Sequence, residues 1–303
     1  MRITNNMLSN NMLDYMSNNL NRMSKYQNQL ATGKKIQVPS DDPIVALRAL
    51  KLRTDVSEIE QYQRNASDAQ SWTDITETTL SNMSDVLQRT RELVVKGASD
   101  SNTIGDRQNI CDELKQLKAQ MVQISNTTYA GRYVFSGYST DKPLVNEDGT
   151  FAVDVANSEA INYEIGIGDS ININVAGGDL LNSGGAAISG QSGQVFKDFD
   201  AIISAMGASG NAATISGLIK NVDDDMNNLS RVRSGVGAIS NRIEMTMNRL
   251  DSDNLNYTKL MSENEDVDMA EAIMNLQSEE SVYKASLSGG AKVIQTTLID
   301  FLR

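Results

Sequence analysis

Two amphipathic stripes, one towards each end of the chain, constrain its fold more than any other feature. Tyr283, Leu287, Ala291, Ile294, Leu298 and Phe301 follow one another at steps of four, four, three, four and three. That spacing lines them along one narrow face of a helix, the pattern by which helices pack along helices. Met269, Ile273 and Leu276 carry the stripe upstream. Leu13, Met16, Leu20, Met23 and Leu30 stand at 3-4-3-7 spacing, with Gln27 at the skipped position. Neither end has a second apolar face to bury in a core, and a chain end frays unless held. A coiled coil between the two termini is therefore expected, with two ordinary core helices as the alternative.

The interior reads in order from its punctuation. Residues 1–32 form a helix that Gly33 closes in the left-handed position. Lys34–Pro43 is polar and carries Pro39 and Pro43, while Ser40, Asp41 and Asp42 offer N-capping groups to a helix with Pro43 in its first turn. That helix is expected over 43–97, with Ile59, Tyr62, Ala66 and Ala69 opening a 3-4 alternation that reaches Val94. A third helix over 104–129 folds back on it as an antiparallel hairpin.

After Gly131 the apolar period falls to two. Tyr133–Gly137 is strand-like. Ile161, Tyr163, Ile165 and Ile167, then Ile171, Ile173 and Val175, alternate with polar residues around a Gly168–Ser170 turn. Residues 176–193 read as loop and 194–206 as a short helix. A long helix runs from Ala212 to about Met261, with Gly235 and Gly237 placed to kink it. Ser262–Glu271 joins it to the terminal helix.

The fold class is mainly α: a nested rod of long helices with a small antiparallel β-rich insertion. Residues 1–42 and 262–303 supply the terminal coiled-coil helices and their joints, 43–131 and 211–261 the helical bundle, and 132–210 the insertion.

Composition narrows the function. A net charge of −12 argues against nucleic acid and anionic membrane as partners. The chain has no histidine and one cysteine, Cys111, so a Ser-His or Cys-His nucleophile, a His- or Cys-rich zinc site and a disulfide framework cannot be built. The first residues lack the apolar run of a cleavable signal, and no segment approaches the ~20 apolar residues of a membrane helix. Composition alone describes a soluble cytoplasmic protein.

The motifs that mimic sites fail on context. Gly235-Val-Gly-Ala-Ile-Ser240 approaches a dinucleotide fingerprint but follows a helical segment and ends in Ser. Asp251-Ser-Asp253 opens like a calcium loop, yet Asn256 and Ser262 stand at its glycine and bidentate positions. Acidic residues follow helix surfaces, and Met7, Met12, Met16 and Met23 read as adaptable packing rather than as a soft-metal site. No catalytic residue, cofactor or metal is expected.

Leu30-Ala-Thr-Gly-Lys-Lys-Ile-Gln-Val-Pro-Ser-Asp-Asp-Pro43 resembles the N-terminal region of the flagellin family. Met1–Met7, Tyr129–Gly137, Ser234–Arg242 and Tyr283–Leu302 are similar to further segments of that family, most closely to its hook–filament junction members. Pro43 stands where filament flagellins commonly have Ala-Gly, and the C-terminus lacks the usual flagellin ending. The resemblance implies a structural subunit joining hook to filament, exported without a cleavable signal through the flagellar type III apparatus. It implies an extracellular place in the flagellum and terminal helices that order on assembly. Its implied partners are copies of itself in a ring, a neighbouring hook-associated protein, flagellin and an export chaperone, with neither nucleic acid nor membrane. A filament flagellin and an unrelated coiled-coil scaffold or acid-pair enzyme stay open as alternatives. The expected assembly seam is Leu13, Met16, Leu20, Met23, Leu30, Tyr283, Leu287, Ile294, Leu298 and Phe301.

Overall fold

A computed structural model describes residues 5–99, 103–207 and 212–301, the side chains of residues 5, 6, 8, 212 and 292–301 excepted. Its elements, in order, are α1 (Asn5–Thr32), α2 (Pro43–Gly97), α3 (Ile104–Ser125), β1 (Thr128–Tyr129), β2 (Arg132–Tyr133), β3 (Asn162–Gly166), β4 (Asp169–Asn172), α4 (Gly177–Leu181), α5 (Gln194–Gly207), α6 (Ala212–Glu265) and α7 (Met269–Phe301). The protein is mainly helical with two small antiparallel sheets. It divides into two compact units, one of Met1–Glu58 with Asp253–Arg303 and the other of Ile59–Ser252.

In the Ile59–Ser252 unit the helices close around one apolar cluster. Leu93 and Val94 of α2, Ile110 and Leu114 of α3, Ile202 and Met206 of α5, and Ile215 and Val222 of α6 all belong to it. Cys111 is buried in the same cluster, its Sγ 3.8 Å from the Ile203 carbonyl oxygen. Trp72 is buried and meets the Tyr129 ring edge-on at 5.9 Å. The segment between α3 and α5 packs its own large side chains, with Phe135, Leu144, Phe151 and Ile165 fully buried.

Several boundaries differ from the sequence reading, each for a local reason. The third helix ends at Ser125 rather than 129, because Asn126 turns outward: its amide donates to the Val145 carbonyl at 2.7 Å and accepts from the Val145 N–H at 3.0 Å. Tyr129 and Arg132 then pair across Ala130 and Gly131, whose φ values of 49° and 78° are both positive, as a two-residue hairpin turn favours. Of the strand-like stretch Tyr133–Gly137 only Tyr133 pairs in the sheet, together with Arg132 before it.

The β3–β4 turn falls at Ile167-Gly168 rather than Gly168–Ser170, since Gly166 pairs with Asp169 and Gly168 takes a φ of 71°. Residues 176–193 are not all loop: α4 forms there, where an added Cβ on Gly178 would meet the Ala187 amide nitrogen. Helix α6 passes through Gly235 and Gly237 uninterrupted and continues to Glu265, leaving only Asp266–Asp268 as the joint to α7. The acidic run has ordinary helix formers in it, and α6 stops where the backbone of Lys35 takes up the Glu265 carbonyl at 2.7 Å.

A candidate assembly surface on the terminal helices

In the unit formed by Met1–Glu58 and Asp253–Arg303, α1 and α7 lie along each other and run antiparallel. The direction follows from three rungs: Met12 against Gly290, Asn19 against Ser286 and Arg22 against Glu279. Gly290 is buried, and a Cβ added there would stand 2.8 Å from the Met12 sulfur, so the missing side chain is what admits the methionine. Asn19 is buried and its amide donates to Ser286 Oγ at 3.3 Å. Arg22 donates through Nε to Glu279 Oε1 at 2.9 Å and through Nη2 to Asn19 Oδ1.

The expected seam residues divide. Met16, Met23, Leu30 and Tyr283 are half-buried. Leu13, Leu20 and Leu287 are exposed, at 61%, 41% and 44%. The side chains of Ile294, Leu298 and Phe301 lie outside the described residues. Apolar periodicity passes over Asn19, which is polar. Asn19 nevertheless stands three residues after Met16 and four before Met23, a seam position. A polar residue there is a known device for fixing register.

The joint at the base of the helix pair is a clasp. Gly33 turns the chain with φ 70°, its N–H closing on the Gln29 carbonyl at 2.8 Å. The backbone then pairs: Lys35 N–H to the Glu265 carbonyl at 2.7 Å and Val267 N–H to the Gly33 carbonyl at 2.9 Å, with Lys34 and Asp266 opposite one another. Glu265 is 2% exposed and holds Arg53 bidentately, Nε at 2.7 Å and Nη2 at 2.6 Å, with Lys34 Nζ at 3.2 Å. Lys34 also reaches Asp266 Oδ1 at 2.7 Å.

Burial by itself would raise the Glu265 carboxyl; the Arg53 and Lys34 hydrogen bonds outweigh it and hold the group below its usual range. Asp266 first, then Glu265, hold the Lys34 ammonium above its own.

The loop from Gly33 to Asp42 is built by its aspartates. Asp41 accepts from the Gln37 and Val38 N–H groups, at 3.1 Å and 3.2 Å. Asp42 caps α2 through Ile44 and Val45, at 3.0 Å and 3.1 Å. Asp268 does the same for α7 through Ala270 and Glu271, at 2.9 Å and 3.2 Å. Between this loop and α2 lies a cleft of about 220 Å³ lined by Ile36, Val38, Pro39, Ala46, Ala49 and Leu50, with Arg53 and Glu265 at its polar end.

Exposed apolar side chains concentrate on this unit. Among the described residues, fifteen of the twenty-one exposed large hydrophobics belong to it, although it is the smaller of the two units. They include Ile44 at 64%, Leu47 at 69% and Leu255 at 74%. Among the described residues no cluster of His, Cys, Asp and Glu could hold a metal ion, and no helix is long and apolar enough to cross a membrane. What the arrangement offers is a contact surface.

Comparison with known proteins agrees in one direction. The bacterial flagellin N-terminal helical region matches residues 3–140, and the bacterial flagellin C-terminal helical region matches residues 219–302. A flagellin of Bacillus subtilis (strain 168) is 31% identical over 298 residues, which cover 94% of this chain and 94% of that protein. Flagellar hook-associated protein 3 of Escherichia coli (strain K12) is 26% identical over 304 residues, covering 94% of this chain and 95% of that protein. The fold recurs in the structure of a flagellar hook-associated protein from Vibrio parahaemolyticus, with a TM-score of 0.66 and 24% identity over 75% of this chain and 100% of that one. With both helical regions matched and a relative aligned along nearly its whole length, this chain belongs to the flagellin family.

Proposed function

We propose that this chain is the structural subunit of the bacterial flagellum that joins the hook to the filament. As a member of the flagellin family it is a structural protein and not an enzyme. The observation that carries an assembly role is the concentration of exposed apolar side chains on the unit that contains both terminal helices. Soluble monomers rarely leave so much apolar surface on one part, and such surface marks a protein contact. The junction position is supported by the match along nearly all of hook-associated protein 3 and by Pro43 after Asp41-Asp42.

In this reading the chain is exported unfolded without a cleavable signal, accompanied by an export chaperone. It then forms a ring of its own copies outside the cell, between a neighbouring hook-associated protein and flagellin. Contacts between subunits are heterologous, so they propagate along the flagellum rather than closing on a pair. Leu13, Leu20 and Leu287, left exposed by the α1–α7 pairing, meet neighbours, and Met16 and Met23 adapt to unlike ones on the two sides.

A strain lacking the protein is expected to complete its hooks and shed flagellin into the medium. Filaments of normal length in that strain would overturn the junction reading. A filament flagellin is the second reading, favoured by the 31% identity to the Bacillus subtilis protein. It would be supported if the purified chain polymerised by itself into long filaments.

A further inference from the structure

Asp225 of α6 is an acid in an unusual place. It is 5% exposed, on a helix whose neighbours Val222 and Met226 pack in the apolar cluster of the Ile59–Ser252 unit. One turn before it, Asn221 donates through Nδ2 to Asp198 Oδ1 of α5 at 2.8 Å. Asp198 is itself 5% exposed, and its other oxygen accepts from Gln194 Nε2 at 3.0 Å. Two buried carboxyl groups therefore stand on the facing helices α5 and α6, within one helical turn of the hydrogen bond that joins those helices, and amide donors rather than cations hold one of them.

The charged groups around this contact do not relieve it. On α6, Asp223 is taken by Arg91 of α2 at 2.5 Å, and Asp224 is a further negative charge beside Asp225. On α5, Asp200 is taken by Lys118 of α3 at 2.7 Å, and Lys197 is exposed; Lys220 of α6 is exposed as well. On α4, Asp179 is taken by Arg231 at 2.6 Å. From α3, Cys111 lies against the Ile203 carbonyl of α5.

We propose that Asp225 is a proton-operated latch on α5: with its carboxyl protonated α5 seats against α6, and its ionisation beside Asp198 loosens α5. Burial first, then the charges of Asp198 and Asp224, push the Asp225 carboxyl up to about 7. Once α5 opens, Asp225 meets water and returns to the ordinary aspartate range. The seated form thus binds the proton more tightly than the open one. Seating is strongest in acid, weakens as pH rises from the ordinary aspartate range towards about 7, and is level above that. No histidine titrates in the same window.

Hydrogen exchange of the α5 amides in the full-length protein between pH 5 and 9, corrected for the intrinsic rate, tests the latch. Protection is expected to fall up to about tenfold per pH unit towards neutrality and then to level, as one linked proton requires. Asp225→Asn is expected to hold protection constant across the range. A flat wild-type profile, or an unchanged slope in Asp225→Asn, would overturn the proposal. Should that variant fail to fold, the carboxyl carbon resonance of Asp225 in the wild-type chain decides: titration near neutrality supports the latch, and titration in the ordinary aspartate range rejects it.

Discussion

Arg53 and Glu265 meet fork to fork, Nε on Oε1 at 2.7 Å and Nη2 on Oε2 at 2.6 Å, although α2 and α6 bring them together from 212 positions apart. Glu265 is the buried partner and Arg53 the half-exposed one, at 2% and 56%. Glu265→Gln is therefore expected to destabilise the Met1–Glu58 and Asp253–Arg303 unit by about 1–2 kcal/mol, less than a fully buried pair would lose because solvent screens the arginine. The pH dependence follows from the sign. The Glu265 carboxyl is held below its usual range, so its contribution is complete above the ordinary glutamate value and is lost as pH falls through the folded one. Circular-dichroism melts at pH 7 and pH 3 measure it; a variant whose melting loss is the same at both would refute the assignment.

Leu20 separates folding from assembly. It is 41% exposed on a helix pair whose buried contacts lie elsewhere. Leu20→Ser is expected to change monomer stability by less than about 0.5 kcal/mol. The same variant is expected to leave flagella truncated at the hook. Normal filaments on cells carrying it would remove Leu20 from the assembly surface.

Gly33→Ala tests the turn that ends α1. An added Cβ would have nothing within 4 Å, so the cost is conformational alone, from a φ of 70°. A loss of about 1 kcal/mol is expected for an L residue in the left-handed region, with Gly33→Asn losing less. Equal stability of wild type and Gly33→Ala in denaturant titration would contradict the left-handed turn.

Ile202→Ala probes the join between the β-rich segment and the helices. Ile202 is 1% exposed and shares a cluster with Leu93, Ile110 and Val222. A loss of about 2–4 kcal/mol is expected from the missing volume. The fluorescence of Trp72, the chain's one tryptophan and buried in the same unit, reports it. A loss confined to the segment between α3 and α5, with the Trp72 transition unmoved, would mean that α5 is not part of the helical core.

The long helices were legible because apolar residues kept helical spacing over many turns, and Gly33 and Pro43 marked where the first ends and the second begins. The hairpin of β3 and β4 was legible in its alternation, but its turn was not, since Gly168 could stand first or last in it and only the Gly166–Asp169 pairing decides. Residues 176–193 read as loop because five-residue α4 is fixed by the close approach of Ala187 to Gly178, a contact far from α4's own pattern. Along α1 the apolar spacing found Met16 and Met23 yet passed over Asn19, whose place depends on a serine 267 positions away. Glu265 likewise looked like one acid in an acidic run; only Arg53 and Lys34 distinguish it.

The Asn19–Ser286 rung also sets a ruler. Sliding α1 by one turn along α7, about 5.4 Å, would part the Asn19 amide from its hydroxyl and push Met12 off the gap left by Gly290. The pair therefore has one alignment. Leu13, Leu20 and Leu287 stand at the same intervals in every folded copy, so an assembly built on them would find the same graduations on each subunit.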